Sequence, residues 1–211
     1  MAKSPKFYVV WRGRKTGVFS NWDDCKKQIN AFEGAVYKSF PSREMAEKAF
    51  KGNMKDYIGK EVPKKALTPA ELARIGNPIL DSIAVDAASS SNTNEVEYKG
   101  VYVKTRRELF LKGPYKDGTN NIGEFLAIVH ALAYCQQKKI ELPIYSDSRT
   151  AMSWVRNKKA KTKQQITENN MQLFDLIERA EDWLNSNTYK NRILKWETRA
   201  WGEIPADFGR K

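Results

Sequence analysis

Between residues 80 and 135 the apolar pattern of the chain changes period once. The stretch "LDSIAVDAASSSNTNEVEYKGVYVKTRRELFLKG" alternates apolar and polar side chains, and "GTNNIGEFLAIVHALAYC" then runs apolar on a helical spacing. Alternation predicts strands at about 81–86, 95–103 and 107–112, and the short polar breaks between them predict an antiparallel meander. A helix opened by Asn121 to Glu124 follows, then "LPIYSD", a short strand ending on Asp147. A strand reached through a crossover helix runs parallel to its sheet neighbour, so the sheet is mixed. Beyond it come a helix at "SRTAMSWVRN", a basic turn "KKAKTKQQ", an amphipathic helix at about 166–186 and a last strand "RILKW". The predicted order is βββαβααβα: an α/β fold with a five-stranded mixed sheet and helices on both faces, over residues 80–211.

The front of the chain reads as a separate, smaller unit. Residues 6–50 give an apolar aromatic strand "FYVVW", a basic turn "RGRKTG", a strand "VFSNW", a helix "DDCKKQINAF", a strand "AVYKSF" and a helix "SREMAEKAF" capped by Ser42. This ββαβα order predicts a three-stranded sheet backed by helices in a domain spanning residues 1–50. Residues 51–79 mix Gly, Pro and charge and read as a linker, with one short helix at "TPAELARI" that Thr68 caps and Pro69 begins.

Charge narrows the function. The net charge of +12 favours a polyanionic partner, and it is concentrated in residues 1–60, with 13 Lys/Arg against 6 Asp/Glu. Mean hydropathy is -0.66, no apolar run reaches the length of a membrane span, and "MAKSPKFYVV" lacks the apolar core of a signal peptide. A cytoplasmic monomer is expected. Cys25 and Cys135 lie far apart without metal-ligand spacing and read as buried thiols. The single histidine, His130, sits mid-helix among Ile128, Val129 and Leu132, where it reads as packing. Chemistry in this chain therefore has to use carboxylates.

The carboxylates fall in a pattern. Asp86 is expected to end the first meander strand and Asp147 the strand after the helix, and in such a sheet those two ends can be neighbours. Glu124 lies in the first turn of the connecting helix. Glu203 and Asp207, four residues apart, would face one way on a short terminal helix with Pro205 near its start. Singly, Glu124 could answer a helix dipole and Asp147 a helix cap. Together they form a cluster of like charges, which requires a cation. Mg2+ suits oxygen ligands and substrate phosphate, and two ions about 3.5–4 Å apart clamp the attacking and leaving oxygens of a phosphodiester. The residues thus predict a metal-dependent nuclease. Thr119, Asn120 and Asn121, at the entry to the helix that carries Glu124, offer donors and acceptors for sugar and phosphate.

The segments "VDAAS", "GTNNIGEFLAIVHAL", "YSDSRTAMSWV" and "GEIPADFGRK" resemble type 1 ribonuclease H, which cuts the RNA strand of an RNA/DNA hybrid. The resemblance covers about residues 80–211. It implies that Asp86, Glu124, Asp147 and Asp207 hold two Mg2+ ions, for which Mn2+ can substitute, and that Glu203 assists metal exchange or product release. It also implies 5′-phosphate and 3′-hydroxyl products. Asn92, Asn121 and Arg149 would contact RNA, Thr119, Asn121 and Thr162 a DNA phosphate, and Trp154 a deoxyribose; Ser89, Asn120 and Thr198 complete the implied substrate contacts. Two departures stand out: "AASSSNTN" replaces a glycine-rich turn, and Lys163 replaces a small hydroxyl residue.

The front block, through "FYVVWRGRKTGVFSNWDDCKKQI" and "VYKSF", resembles the hybrid-binding, viroplasmin-like domain of such enzymes. By that resemblance Tyr8, Trp22 and Tyr37 pack on deoxyribose and Lys38 meets phosphate, while Ser39 stands where a second lysine is common. Two other readings are weighed: a DNA-cutting nuclease of the same fold, and a hybrid-binding protein without catalysis. Intact acids argue against the second, since carboxylates beside phosphate only weaken a binder.

Overall fold

The computed structural model describes residues 6–59, 66–90 and 92–209. It divides into two compact units, Met1–Ala66 and Leu67–Lys211.

In the first unit, β1 (Phe7–Arg12) lies between β2 (Gly17–Phe19) and β3 (Val36–Phe40), both antiparallel to it. Period-two alternation sends Val9 to one face, where it packs with Phe40 and with Ala46 and Ala49 of α2 (Arg43–Lys51). Asn21 caps α1 (Trp22–Ile29) and Ser42 caps α2, each accepting from a backbone N–H three residues on. The unit reaches past residue 50. Lys51 completes α2, a 3-10 turn follows at Met54–Asp56, and the Tyr57 ring stacks on Trp11 and meets Phe40 edge-on.

The sequence-expected linker is therefore shorter at both ends. Thr68 and Glu71 form a capping box for α3 (Pro69–Ile75), and the carbonyl of Gly76 accepts from Trp201 Nε1 at 2.8 Å, so this stretch belongs to the second unit. Residues 60–65 of the expected linker lie outside the described residues.

The second unit has the five-stranded mixed sheet, in the order β6-β5-β4-β7-β8. β4 (Ile83–Ser89), β5 (Val96–Tyr102) and β6 (Glu108–Tyr115) form the meander, while β7 (Ile144–Ser146) and β8 (Ile193–Lys195) run parallel to β4. Ile83, Val85 and Ala87 pack under α4 (Asn120–Lys138), α5 (Arg149–Arg156) and α6 (Met171–Ser186). Ala84, on the opposite face, joins Tyr145, Trp196, Ile204 and Ala206. That second face is covered by the one-turn α7 (Thr198–Trp201) and the irregular chain after it, so the long helices share one face.

Three expected elements differ. α6 starts at Met171, because the buried side chain of Asn170 accepts from Thr167 N and donates to the Gln165 carbonyl, holding the preceding residues in a turn. Residues 203–207 are not helical: α7 ends at Gly202 (φ 76°), and Ile204 and Ala206 are both buried, a spacing of two that a helix cannot put on one face. Asp86 lies in the middle of β4, not at its end. Among the described residues no helix is long and apolar enough to cross a membrane.

Candidate active site and nucleic-acid surface

Strand register brings the first two acids together. Ile83 pairs with Ile144 and Ala84 with Tyr145; two residues further in the same register stand Asp86 and Asp147. β7 ends at Ser146 while β4 continues, so the Asp147 side chain is released beside a strand that still holds Asp86. The third acid comes with α4. Gly123 lets that helix touch the sheet, since a Cβ there would sit 2.7 Å from both Ala87 Cβ and Val96 Cγ2. The next residue is Glu124, and ligand oxygens of Asp86, Glu124 and Asp147 all lie within 4.8 Å of one another.

Burial and mutual repulsion shape this group. Asp86 is pushed from 3.8 up to about 7, first by burial and then by Asp147, with Glu124 and Asp207 adding to it. Glu124 rises to about 7, again chiefly by burial, against a hydrogen bond from Ser148. Burial also raises Asp147, and the Lys195 ammonium opposes it. Asp207 and Glu203 arrive on the chain after α7: Asp207 acts on Asp86 and Asp147, and Glu203 on Asp147. Asp207 stands outside the 4.8 Å group, and its Oδ2 accepts from Gly209 N at 2.9 Å. An all-oxygen set of crowded carboxylates fits a hard divalent cation, whose charge would offset the repulsion.

Two neighbours carried no sequence signal beyond their type. Ser148, buried, caps α5 by accepting from Ala151 N and also bonds Glu124; the "SDS" spelling shows only the cap. Lys195 enters from β8, in register with Ser146, and its amine donates to the Trp196 carbonyl while facing Asp147. His130 stacks on Phe110 with centroids 4.1 Å apart and is pushed down to about 4 by burial, a neutral packing ring. Both cysteines are buried free thiols.

The remaining expected contacts lie on several elements of this unit. Thr119 caps α4 by accepting from Ile122 N, with Asn120 and Asn121 exposed in its first turn. Arg149 is exposed at the start of α5, Ser89 at the end of β4, Asn92 in the turn after it, and Thr198 begins α7. Thr162 accepts from Gln164 N within the basic turn. Trp154 is 7% exposed and edge-on to Phe125, so little of its ring is open to a sugar.

In the first unit Trp22 lies between Tyr8 and Tyr37, with ring centroids 5.4 and 5.7 Å away. Trp22 and Tyr37 are 41% and 43% exposed, so these rings form a surface and not the core. Lys38 does not join them. Its Nζ donates to the Tyr57 carbonyl at 2.6 Å, and alternation along β3 puts it with Phe40 on the opposite face from Tyr37.

The RNase H family model matches residues 81–196, more than half of the chain. The chain belongs to the ribonuclease H family. A second model, the ribonuclease H1 N-terminal domain, matches residues 6–50. The ribonuclease H match takes in Asp86, Glu124 and Asp147 and stops before Glu203 and Asp207. A ribonuclease H of Saccharomyces cerevisiae is 35% identical over 107 residues, 44% of this chain and 30% of that protein. One of Crithidia fasciculata is 28% identical over 183 residues, 61% of this chain and 36% of that protein. Each match therefore spans about a third of the relative's length. A ribonuclease H of Schizosaccharomyces pombe is 22% identical over 255 residues, 95% of this chain and 94% of that protein.

Proposed function

We propose that this family member is an endonuclease that hydrolyses the RNA strand of RNA/DNA hybrids, and that the metal it uses is Mg2+. The observation that carries the reading is the convergence of Asp86, Glu124 and Asp147 oxygens within 4.8 Å on a chain of net charge +12. Asp86, Glu124, Asp147 and Asp207 would hold two ions. When bound, the metal supplies positive charge for the scissile phosphate and acidifies the attacking water. Water adds across the P–O3′ bond, leaving a 5′-phosphate and a 3′-hydroxyl.

The chain's own groups do the positioning. Ser148 orients the Glu124 carboxylate. Asn120 and Asn121, at the positive end of α4, suit sugar hydroxyls and phosphate. Arg149 and Thr162, at the two ends of the segment that begins with α5, suit phosphates along the duplex. The Tyr8, Trp22 and Tyr37 surface suits deoxyribose of the DNA strand, and the basic first unit adds affinity independent of sequence. The unit Met1–Ala66 then acts as hybrid-binding domain and the unit Leu67–Lys211 as catalytic domain, and joining them in one chain raises the local concentration of hybrid.

The test is a substrate panel: hybrid labelled on each strand in turn, duplex DNA and duplex RNA, each with Mg2+ and with chelator. The expected result is RNA-strand fragments from the hybrid alone, bearing 5′-phosphates, and none with chelator. DNA-strand cuts would point to a DNA nuclease of this fold. Tight hybrid binding without cutting would make the chain a binding protein.

A further inference from the structure

We propose that Lys99 is a positioning residue for Asp207: its ammonium, seated on the Phe208 ring, holds the terminal segment that brings this acid to the cluster. The inference rests on reading that cluster as a metal site. Lys99 lies directly across from Asp86 in the β4–β5 register, and residues paired in this way project from the same face of the sheet. A carboxylate is the natural partner for an amine so placed. Yet Lys99 Nζ lies 4.5 Å from the centroid of the Phe208 ring. The Asp86 carboxylate is left open to a cation.

The segment being held is the irregular one. Upstream of Asp207 it is fixed by the buried side chains of Ile204 and Ala206, and Asp207 N donates to the Ile204 carbonyl at 2.8 Å. Gly202 and Gly209 bracket it with φ of 76° and 64°. Phe208 immediately follows Asp207, so a ring pinned at Lys99 sets how far the Asp207 carboxylate reaches toward Asp86 and Asp147. Asp207 stands outside their 4.8 Å group, and the position of its backbone therefore decides whether it can share an ion with them.

The full chain is compared with Lys99→Met, Lys99→Arg, Phe208→Leu and the Lys99→Met/Phe208→Leu double variant. Mn2+ binding without nucleic acid is followed by the paramagnetic resonance of the free ion, and hybrid cleavage is measured against metal concentration. Loss of one cation–ring contact should weaken Mn2+ binding about two- to fivefold. The metal concentration for half-maximal cleavage should rise by the same factor while the rate at saturating metal stays within about twofold. Lys99→Arg should restore native binding, and the double variant should be no weaker than either single one. Native Mn2+ affinity in both Lys99→Met and Phe208→Leu would overturn the proposal, as would additive losses in the double variant. A higher KM for hybrid with unchanged metal dependence would instead make Lys99 a substrate contact, and a lowered unfolding midpoint with unchanged Mn2+ affinity would make it a structural tie. Both outcomes overturn it. If the native chain binds Mn2+ but cuts no hybrid, the ribonuclease reading fails, and the binding data still decide the role of Lys99.

Discussion

Replacing Asp86 with Asn should make the metal-free protein more stable while abolishing its chemistry. Asp86 is 9% exposed and faces Asp147, Glu124 and Asp207, which with burial lift its carboxyl from 3.8 to about 7. A folded value above the unfolded one means that the native state binds the proton more tightly. The associated stability is fully present below about pH 4 and is lost as pH rises through about 7. At pH 8 the ionised side chain costs the native state about 4 kcal/mol, from roughly three units at about 1.4 kcal/mol each. At pH 5 it costs only about 1–2 kcal/mol, because the native carboxyl keeps its proton there. Asn preserves the shape without the charge. Urea unfolding in chelator should therefore show Asp86→Asn more stable by at least about 2 kcal/mol at pH 8, with an advantage that narrows by roughly 2–3 kcal/mol at pH 5. Mg2+ at pH 8 should stabilise the native chain more than the variant. A variant no more stable than native at pH 8, or an advantage independent of pH, would refute the account of this cluster.

Gly123→Ala sets about 1–3 kcal/mol of overpacking against Ala87 and Val96 against a helix-propensity gain of about 1 kcal/mol. The net expectation is a loss of about 1 kcal/mol in urea unfolding together with weaker Mn2+ binding, because Glu124 moves with the helix; an unchanged or raised midpoint contradicts it. Trp22→Ala with Tyr37→Ala should leave the Val9–Phe40 core intact, since both rings are exposed, and lower hybrid affinity at least about fivefold in fluorescence anisotropy. Unaltered affinity would remove the aromatic surface from the binding account. Glu181 is buried, accepts from Ala160 N at 2.9 Å and pairs with Lys159, anchoring the basic turn to α6. Glu181→Ala should cost about 2 kcal/mol and speed amide exchange at residues 159–163; native exchange there would show that the turn holds itself.

Much of this architecture can be read in the sequence because its signals are local. Period-two alternation specifies the meander, and the caps at Ser42 and Thr68 mark helix starts by side-chain chemistry alone. Asp86 and Asp147 are legible as a pair because a crossover helix enforces parallel strands. What sequence missed depends on contacts between distant residues. The terminal acids look helical at a spacing of four, but burial of Ile204 and Ala206 against the far side of the sheet holds that chain irregular. The resemblance implies that Lys38 meets phosphate, and nothing local announces that Tyr57, 19 residues on, offers it a carbonyl. The resemblance implies that Trp154 packs on a sugar, and no local feature announces how deeply it is buried. Lys195 and Lys99 gain their places beside the acids from strand register, which composition does not encode.

The most direct test of the central claim measures single-turnover cleavage of one RNA/DNA hybrid against Mg2+ concentration, for the native chain and Asp147→Asn, with hybrid binding measured alongside. The account predicts a rate that rises with Mg2+ and saturates for the native chain, and falls by at least about a thousandfold in the variant, which still binds hybrid. Cutting that persists in chelator, or an Asp147→Asn chain that cleaves at the native rate, would contradict it.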